Sequence, residues 1–300
     1  MKYDLTQARK CIETLDKRRF DRALLGSGDA FRHIVSLVPL LLHLNHPALP
    51  GYVEDAPAGI ADFILSNYQQ HFLSKEHPEL VEDVQSAVNS DVVFTPILGI
   101  YVMGSFGSIS QTSASDLDIW ICHQDDLSEQ DQQRLAEKTK KISLWASTFH
   151  VEIHFYLMTQ KRFRNERYSD PLTKENSGSA QYMLLLEEFY RSAVRLSGKP
   201  LLWLHLWVED EKQYEAEVAC LVAEGELNPN DWVDFGGLGQ FSASEYFGAS
   251  LWQLYKGIDS PYKSVMKILL LETYAQEYPN AHLIARQFKE DLLSGRSTAA

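Results

Sequence analysis

Asp116 and Asp118 stand two residues apart in a stretch rich in β-branched and aromatic residues. On a strand, side chains at i and i+2 share a face, so both carboxylates point one way while Leu117 and Ile119 point into a core. Carboxylates held side by side repel each other unless a cation lies between them. A pair of magnesium ions about 3.5–4 Å apart is the usual arrangement for phosphoryl and nucleotidyl transfer. Magnesium takes carboxylate and phosphate oxygens. Glu152, within Val151-Glu152-Ile153-His154-Phe155, is the candidate third carboxylate, because an acid in an apolar strand needs a reason. By alternation it shares a face with His154. Asp116, Asp118 and Glu152 are therefore read as catalytic acids and metal ligands for two Mg2+ ions, with Mn2+ as the substitute.

Upstream, Met103-Gly104-Ser105 ends an apolar run and opens a small, hydroxyl-rich stretch from Phe106 to Ser115. Glycine lets a backbone approach a ligand closely. The exposed N–H groups and the Ser105 hydroxyl suit phosphate oxygens. The loop is of a kind that wraps a triphosphate. Gly236-Gly237-Leu238-Gly239 lacks the Lys-Ser/Thr of a P-loop and reads as a turn between helices. His123, His150 and His154 form no metal set with Cys122 and read as structural. Ser177-Gly178-Ser179 is either a helix N-cap or a phosphate contact. Arg162, Arg164 and Arg167 form either a solvated loop or a cover for the ligand.

The elements that position these groups follow from periodicity. Residues 5–45 read as helical, with Leu5, Ala8, Ile12 and Leu15 at helical spacing and a second apolar stretch from Phe31 to Leu44. Pro50, Gly51, Pro57 and Gly59 mark a loop, and helices resume through about Val88. Three segments read as strands: Ile97–Met103, Asp116–His123 and His150–Met158. Between the last two, Ser128 and Asp131 resemble a capping box that opens a helix with Leu135, Ile142 and Trp145 on its apolar stripe. Residues 181–196 read as a helix. Ser242 and Glu245 open another that stops at Gly257, and Pro261 starts a further one.

The chain has 300 residues and a net charge of −13. Such a surface repels a nucleic-acid backbone but leaves room for a small nucleotide, whose cleft metal ions and local cations can invert. Three scattered cysteines, Cys11, Cys122 and Cys220, give neither a zinc spacing nor a disulfide framework and suit a reducing cytoplasm. The apolar run Ile34–Leu44 is too short to span a bilayer, so a soluble, cytoplasmic protein with no integral membrane segment is expected. The small, polar tail Ser294–Ala300 suggests a fragment of a longer chain.

Strand, Gly-Ser, hydroxyl-rich loop, Asp-x-Asp strand, helix and acid-bearing strand come in an order that resembles the DNA polymerase β-like nucleotidyltransferases. The flanks resemble the class I adenylate cyclases of bacteria. The residues that carry this are Asp21-Arg22-Ala23-Leu24, Leu41-Leu42-His43, His46-Pro47 with Pro50-Gly51-Tyr52, and Ser115 through His123. The longest match is Glu245-Tyr246-Phe247-Gly248-Ala249-Ser250-Leu251-Trp252-Gln253-Leu254-Tyr255-Lys256, continuing over Asp259-Ser260-Pro261-Tyr262-Lys263. The resemblance implies an α+β fold: a nucleotidyltransferase core with a small mixed sheet over residues 91–170, a helical N-terminal segment over 1–90, and a helical second lobe over 171–300 that completes a nucleotide cleft.

The implied reaction is ATP to cyclic AMP and pyrophosphate. Gly104 and Ser105 would grip the β- and γ-phosphates. Lys263 and Lys267, a helical turn apart, are either triphosphate contacts that offset charge on the departing pyrophosphate or a solvated face near Glu272. Lys199 is either an ATP contact or a cation closing a helix dipole. Control by the glucose phosphotransfer system is expected only through a C-terminal region that this chain lacks. Two other functions stay open on the residues alone: a transferase moving AMP to an external acceptor, and a nucleotide sensor without turnover.

Overall fold

The structure is a computed structural model that describes residues 4–82, 84, 95–112, 115–165, 182–258 and 260–296. Its elements in chain order are α1 (Leu5–Leu25), α2 (Asp29–His43), α3 (Asn67–Glu76), β1 (Ile97–Met103), β2 (Leu117–His123), α4 (Glu129–Ser147), β3 (Ile153–Met158), α5 (Gln160–Asn165), α6 (Tyr182–Ser192), β4 (Val194–Gly198), α7 (Leu202–His205), α8 (Tyr214–Ala223), α9 (Ala243–Lys256), α10 (Pro261–Gln276) and α11 (Ile284–Leu293). The α+β expectation is met: a small mixed sheet in the order β3-β2-β1-β4 is flanked by helices. β1 runs antiparallel to β2 and β4, and β2 runs parallel to β3 across α4. No helix among the described residues is long and apolar enough to cross a membrane.

The fourth strand corrects the reading of 181–196 as one helix. The helix ends at Ser192, and Val194–Gly198 pairs with β1. No Gly or Pro stands between Ser192 and Gly198, so the sequence marks no boundary between helix and strand. Gly198 allows the pairing to end: its φ is +87°, and a Cβ there would lie 2.5 Å from the Leu98 carbonyl oxygen.

The central strands β1 and β2 are buried on both faces, which is why they read as nearly continuous apolar runs. Leu117, Ile119 and Ile121 of β2 pack with Ile100 and Val102 of β1 under α2 and α4. Trp120 and Cys122, on the other face, pack with Tyr101, Phe189 and Trp203. Ile12 and Leu15 from α1 and Leu292 from α11 join that second core, so the first and last described helices share one side of the sheet. Trp120 stacks on Phe189 with ring centroids 4.0 Å apart. The caps read from sequence are present: Ser128 accepts from the Asp131 N–H, and Ser242 and Glu245 form a reciprocal capping box.

His43 ties α2 to the start of β1. Its ring stacks on Phe63 at 3.9 Å, and its Nδ1 accepts the Ile60 N–H at 3.1 Å, next to the bridge between Ile60 and Ile97. Burial pushes its pKa down to about 4. An unfolded chain takes up that proton near pH 6.5. Between the two values the unfolded state holds more protons, so stability falls as pH falls. We expect the protein to lose about 1 kcal/mol of stability per pH unit from this residue between pH 6.5 and 4.5. Urea unfolding of the wild type and His43→Asn at both pH values checks it: the variant should be the less acid-sensitive of the two.

Candidate active site

β1 and β2 deliver the acids. Asp118 lies on β2 between Met103 of β1 and His154 of β3, and Asp116 stands one residue before the strand. Alternation puts Asp118 on the Trp120 face, at the open end of the sheet. Gly104 follows Met103 with φ +87°, a conformation suited to glycine, and a Cβ there would come within 3.9 Å of Asp118 Oδ2. The positive φ is what favours glycine in this turn, since a Cβ at 3.9 Å would be in ordinary contact with the carboxylate.

Glu152 lies outside β3, which begins at Ile153, and its side chain is 67% exposed. The apolar setting expected for it is absent. His150 adopts a left-handed φ of 60° where the chain leaves α4, and regular pairing starts only after Glu152. The shared face with His154 is real: Glu152 Oε1 is 3.1 Å from His154 Nε2. Asp116, Glu152 and His154 each offer a ligand atom within 4.8 Å of the others. His154 was read as structural, and the structure places it in the cluster. Asp118 stands outside that set of three but close by. Burial pushes its carboxyl up, His154 pulls it down, and Asp116 pushes it up again. The Tyr156 hydroxyl donates to it at 3.4 Å. Neither Asp116 nor Asp118 has a Lys or Arg partner within ion-pair distance among the described residues. Carboxylate oxygens with one imidazole and no balancing cation form a donor set that fits a divalent metal ion.

Asp116, Asp118 and His154, but not Glu152, line a cleft of about 900 Å³, a size usual for small-molecule sites. Gly104, Ser105, Asp116 and Asp118 line one wall, and Lys256, Lys263 and Lys267 of α9 and α10 line the other. Acid thus faces base across the space. The Ser105 hydroxyl has no hydrogen-bond partner among the described residues. The Gly104 N–H, expected to be free for phosphate, donates instead to Ser192 Oγ at 3.2 Å. The loop after it is anchored to the N-terminal helices. Gly107 donates to Gln111 Oε1 at 2.6 Å, and Gln111 Nε2 donates to the Ala23 carbonyl at 3.2 Å.

Lys263 is exposed and has no ion-pair partner among the described residues. Lys267 pairs with Glu188 at 2.8 Å. Lys199 lies at the other end of the sheet: its N–H donates to the Leu98 carbonyl at 2.8 Å, whereas the acids sit beyond Met103. It ends a strand, not a helix, so the helix-dipole argument for it does not hold. Arg164 is held by Asp234 and Glu215, away from the acids. The Gly236 N–H is fixed by Asp234 at 2.9 Å, in keeping with a turn. Ser177-Gly178-Ser179 and Arg167 lie outside the described residues.

Sequence reading missed Glu188 and Arg191, which line the cleft from α6. Burial pushes the Glu188 carboxyl up, but Lys267 and Arg191 together hold it below its ordinary value. The signal available was Glu187-Glu188 in an otherwise apolar helix, where an unpaired acid is costly.

A family model described as the adenylate cyclase NT domain matches residues 4–204, and one for the class-I adenylate cyclase second domain matches residues 241–300. An adenylate cyclase of Haemophilus influenzae is 68% identical over 99% of this chain and 36% of its own length. One of Pasteurella multocida is 62% identical over 99% of this chain and 35% of its own. That of Escherichia coli K12 is 45% identical over 95% and 33%. The chain thus spans about a third of the length of the curated relatives it matches. Among solved structures, a spectinomycin adenyltransferase from Enterococcus faecialis aligns at 14% identity with a TM-score of 0.28, over 76% of this chain and 98% of that one, too distant a likeness to argue from.

Proposed function

The chain belongs to the class I adenylate cyclases, and on that premise we propose that it converts ATP to 3′,5′-cyclic AMP and pyrophosphate in the cleft between the sheet and α9–α10, in the cytoplasm. The carrying observation is the cleft itself, with carboxylates on one wall and lysines on the other. A magnesium nucleotide has the matching distribution of charge. Asp116, Asp118 and Glu152, with His154 beside them, would hold divalent ions, Mg2+ or Mn2+, which supply charge neutralisation at the phosphates and a lower pKa at the ribose 3′-hydroxyl.

The remaining work falls to the chain. Ser105 offers its free hydroxyl to the triphosphate. The ribose 3′-oxygen attacks the α-phosphorus, the bond from that phosphorus to the bridging β-phosphate oxygen breaks, and pyrophosphate leaves. Glu152, exposed and 3.1 Å from His154, which lines the cleft, accepts the 3′-hydroxyl proton. Lys263 and Lys267 face the leaving group and offset its growing charge. Lys267 must exchange Glu188 for phosphate to do so. Lys199 has no part in this reading. Control by the glucose phosphotransfer system would belong to the length of the family outside this chain.

The test is product analysis. The purified chain is incubated with ATP and Mg2+ or Mn2+, with and without EDTA, and the products are separated. Cyclic AMP and pyrophosphate in equal amounts, lost with EDTA, are expected. AMP transferred to an added hydroxyl compound, with no cyclic AMP, would replace this reading by acceptor-dependent transfer. Absence of metal-dependent ATP binding would end both.

A further inference from the structure

α9 buries one stripe, Glu245, Ala249, Trp252 and Gln253, at the spacing i, i+4, i+7, i+8. Ala249 packs with Leu184 and Leu271 in the small core beneath the helix. Glu245 is a polar member of the stripe with its partners in place: it closes the capping box and accepts the Met183 N–H at 2.6 Å. Gln253 is different. It is 6% exposed and lines the cleft, yet its amide has no hydrogen-bond partner among the described residues. Gln69, also buried, donates to the Ser36 carbonyl at 2.8 Å and accepts the Ser66 N–H at 2.9 Å. A buried polar group left unpaired is costly, and native proteins seldom keep one. Ser264 of α10 repeats the pattern: it is buried, it lines the cleft, and its hydroxyl has no partner among the described residues. A Cβ on Gly257 would lie 3.4 Å from the Gln253 carbonyl oxygen and 3.7 Å from Ser264 Cβ, so the two residues border one glycine.

The metal ions and phosphates belong with the acids, Ser105 and the lysines. The base remains, and it needs apolar cover on its faces and hydrogen bonds at its edge. Leu185, Trp252 and Leu270 also line the cleft and supply apolar cover. An amide supplies the edge contact, a donor and an acceptor side by side. Adenine presents the complement, a 6-amino donor beside a ring-nitrogen acceptor, and glutamine can meet it with two bonds. Resting on the reading that the cleft holds ATP, we propose that Gln253 recognises the adenine: its Oε1 accepts from the 6-amino group, and its Nε2 donates to the adjacent ring nitrogen. The amide that the fold leaves unpaired is paired by the substrate. That is why α9 carries an amide where its buried stripe would otherwise take an apolar side chain.

The experiment measures binding, not turnover. 3′-Deoxy-ATP lacks the attacking hydroxyl and cannot cyclise. Its affinity with Mg2+ is measured by calorimetry beside that of the same nucleotide without the 6-amino group. The wild type should hold the amino compound about 10–100-fold more tightly. Gln253→Leu, of similar volume, should hold the two alike, through weaker binding of 3′-deoxy-ATP. Its melting temperature should stay or rise, because leucine removes a buried amide that the empty protein leaves unpaired. Equal affinities in the wild type overturn the proposal, and this comparison needs no variant. A leucine variant that keeps the wild-type preference overturns it too. Either result leaves ATP in the cleft and removes only the base contact. Absence of Mg2+-dependent binding of both nucleotides overturns this proposal together with the cyclase reading.

Discussion

Asp118→Asn should lower cyclic AMP formation by about 10³-fold or more while leaving the protein folded. A metal-liganding carboxylate that becomes an amide keeps its shape and loses its charge, and a lost transition-state electrostatic contact of this kind costs about 10²–10³-fold on its own. The position has little slack. Asp118 is fixed by the β1 and β3 pairings on either side, at Met103 and His154. Burial already pushes its carboxyl up, so folding disfavours the charged form. Removing that charge should leave the melting temperature unchanged or raise it. Activity and melting temperature therefore move apart if Asp118 is catalytic. If both fall together, its role is structural. If activity survives within about tenfold, the two-metal reading fails.

Glu187→Ala should cost about 3–5 kcal/mol of stability. Glu187 is 2% exposed and serves three partners. Its Oε2 pairs with Arg191 Nε at 3.1 Å on its own helix. Its Oε1 accepts from the Tyr274 hydroxyl at 3.1 Å on α10 and from the Ala285 N–H at 2.9 Å on α11. Truncation leaves a guanidinium, a hydroxyl and an amide without their acceptor, and buried groups so stranded carry the full desolvation cost. Urea unfolding gives the number. Glu187→Gln keeps one acceptor oxygen and should lose less than the alanine variant. A cost below about 1 kcal/mol for alanine would mean that water replaces the carboxylate. The variant matters to the site as well, because Arg191 lines the cleft and is oriented by this contact.

Much of the core of the fold was legible because it rests on local rules. The β1 segment was read with its bounds as observed, since Ile97, Ile100, Tyr101 and Val102 give it the β-branched and aromatic content of a strand before Gly104. The Ser128 and Ser242 caps were legible because a hydroxyl and an acid three residues on satisfy the first N–H groups of a helix wherever it docks. The failures came where partners decide. β4 could not be separated from α6, because whether Val194–Gly198 extends or coils depends on the β1 edge beside it. Glu152 was placed inside a strand because alternation cannot show where pairing begins.

What the sequence alone determined is the family, and the placing of Gly104 and Asp118 at adjoining strand ends, since these lie in contiguous motifs read without distant contacts. Only the tertiary structure decided which groups meet. It brought His154 into the cluster with Asp116 and Glu152, turned Lys267 toward Glu188, and put Lys199 at the far end of the sheet. Residue type states what a side chain can do. Register, strand direction and the packing of helices more than a hundred residues away set the few ångströms within which it acts.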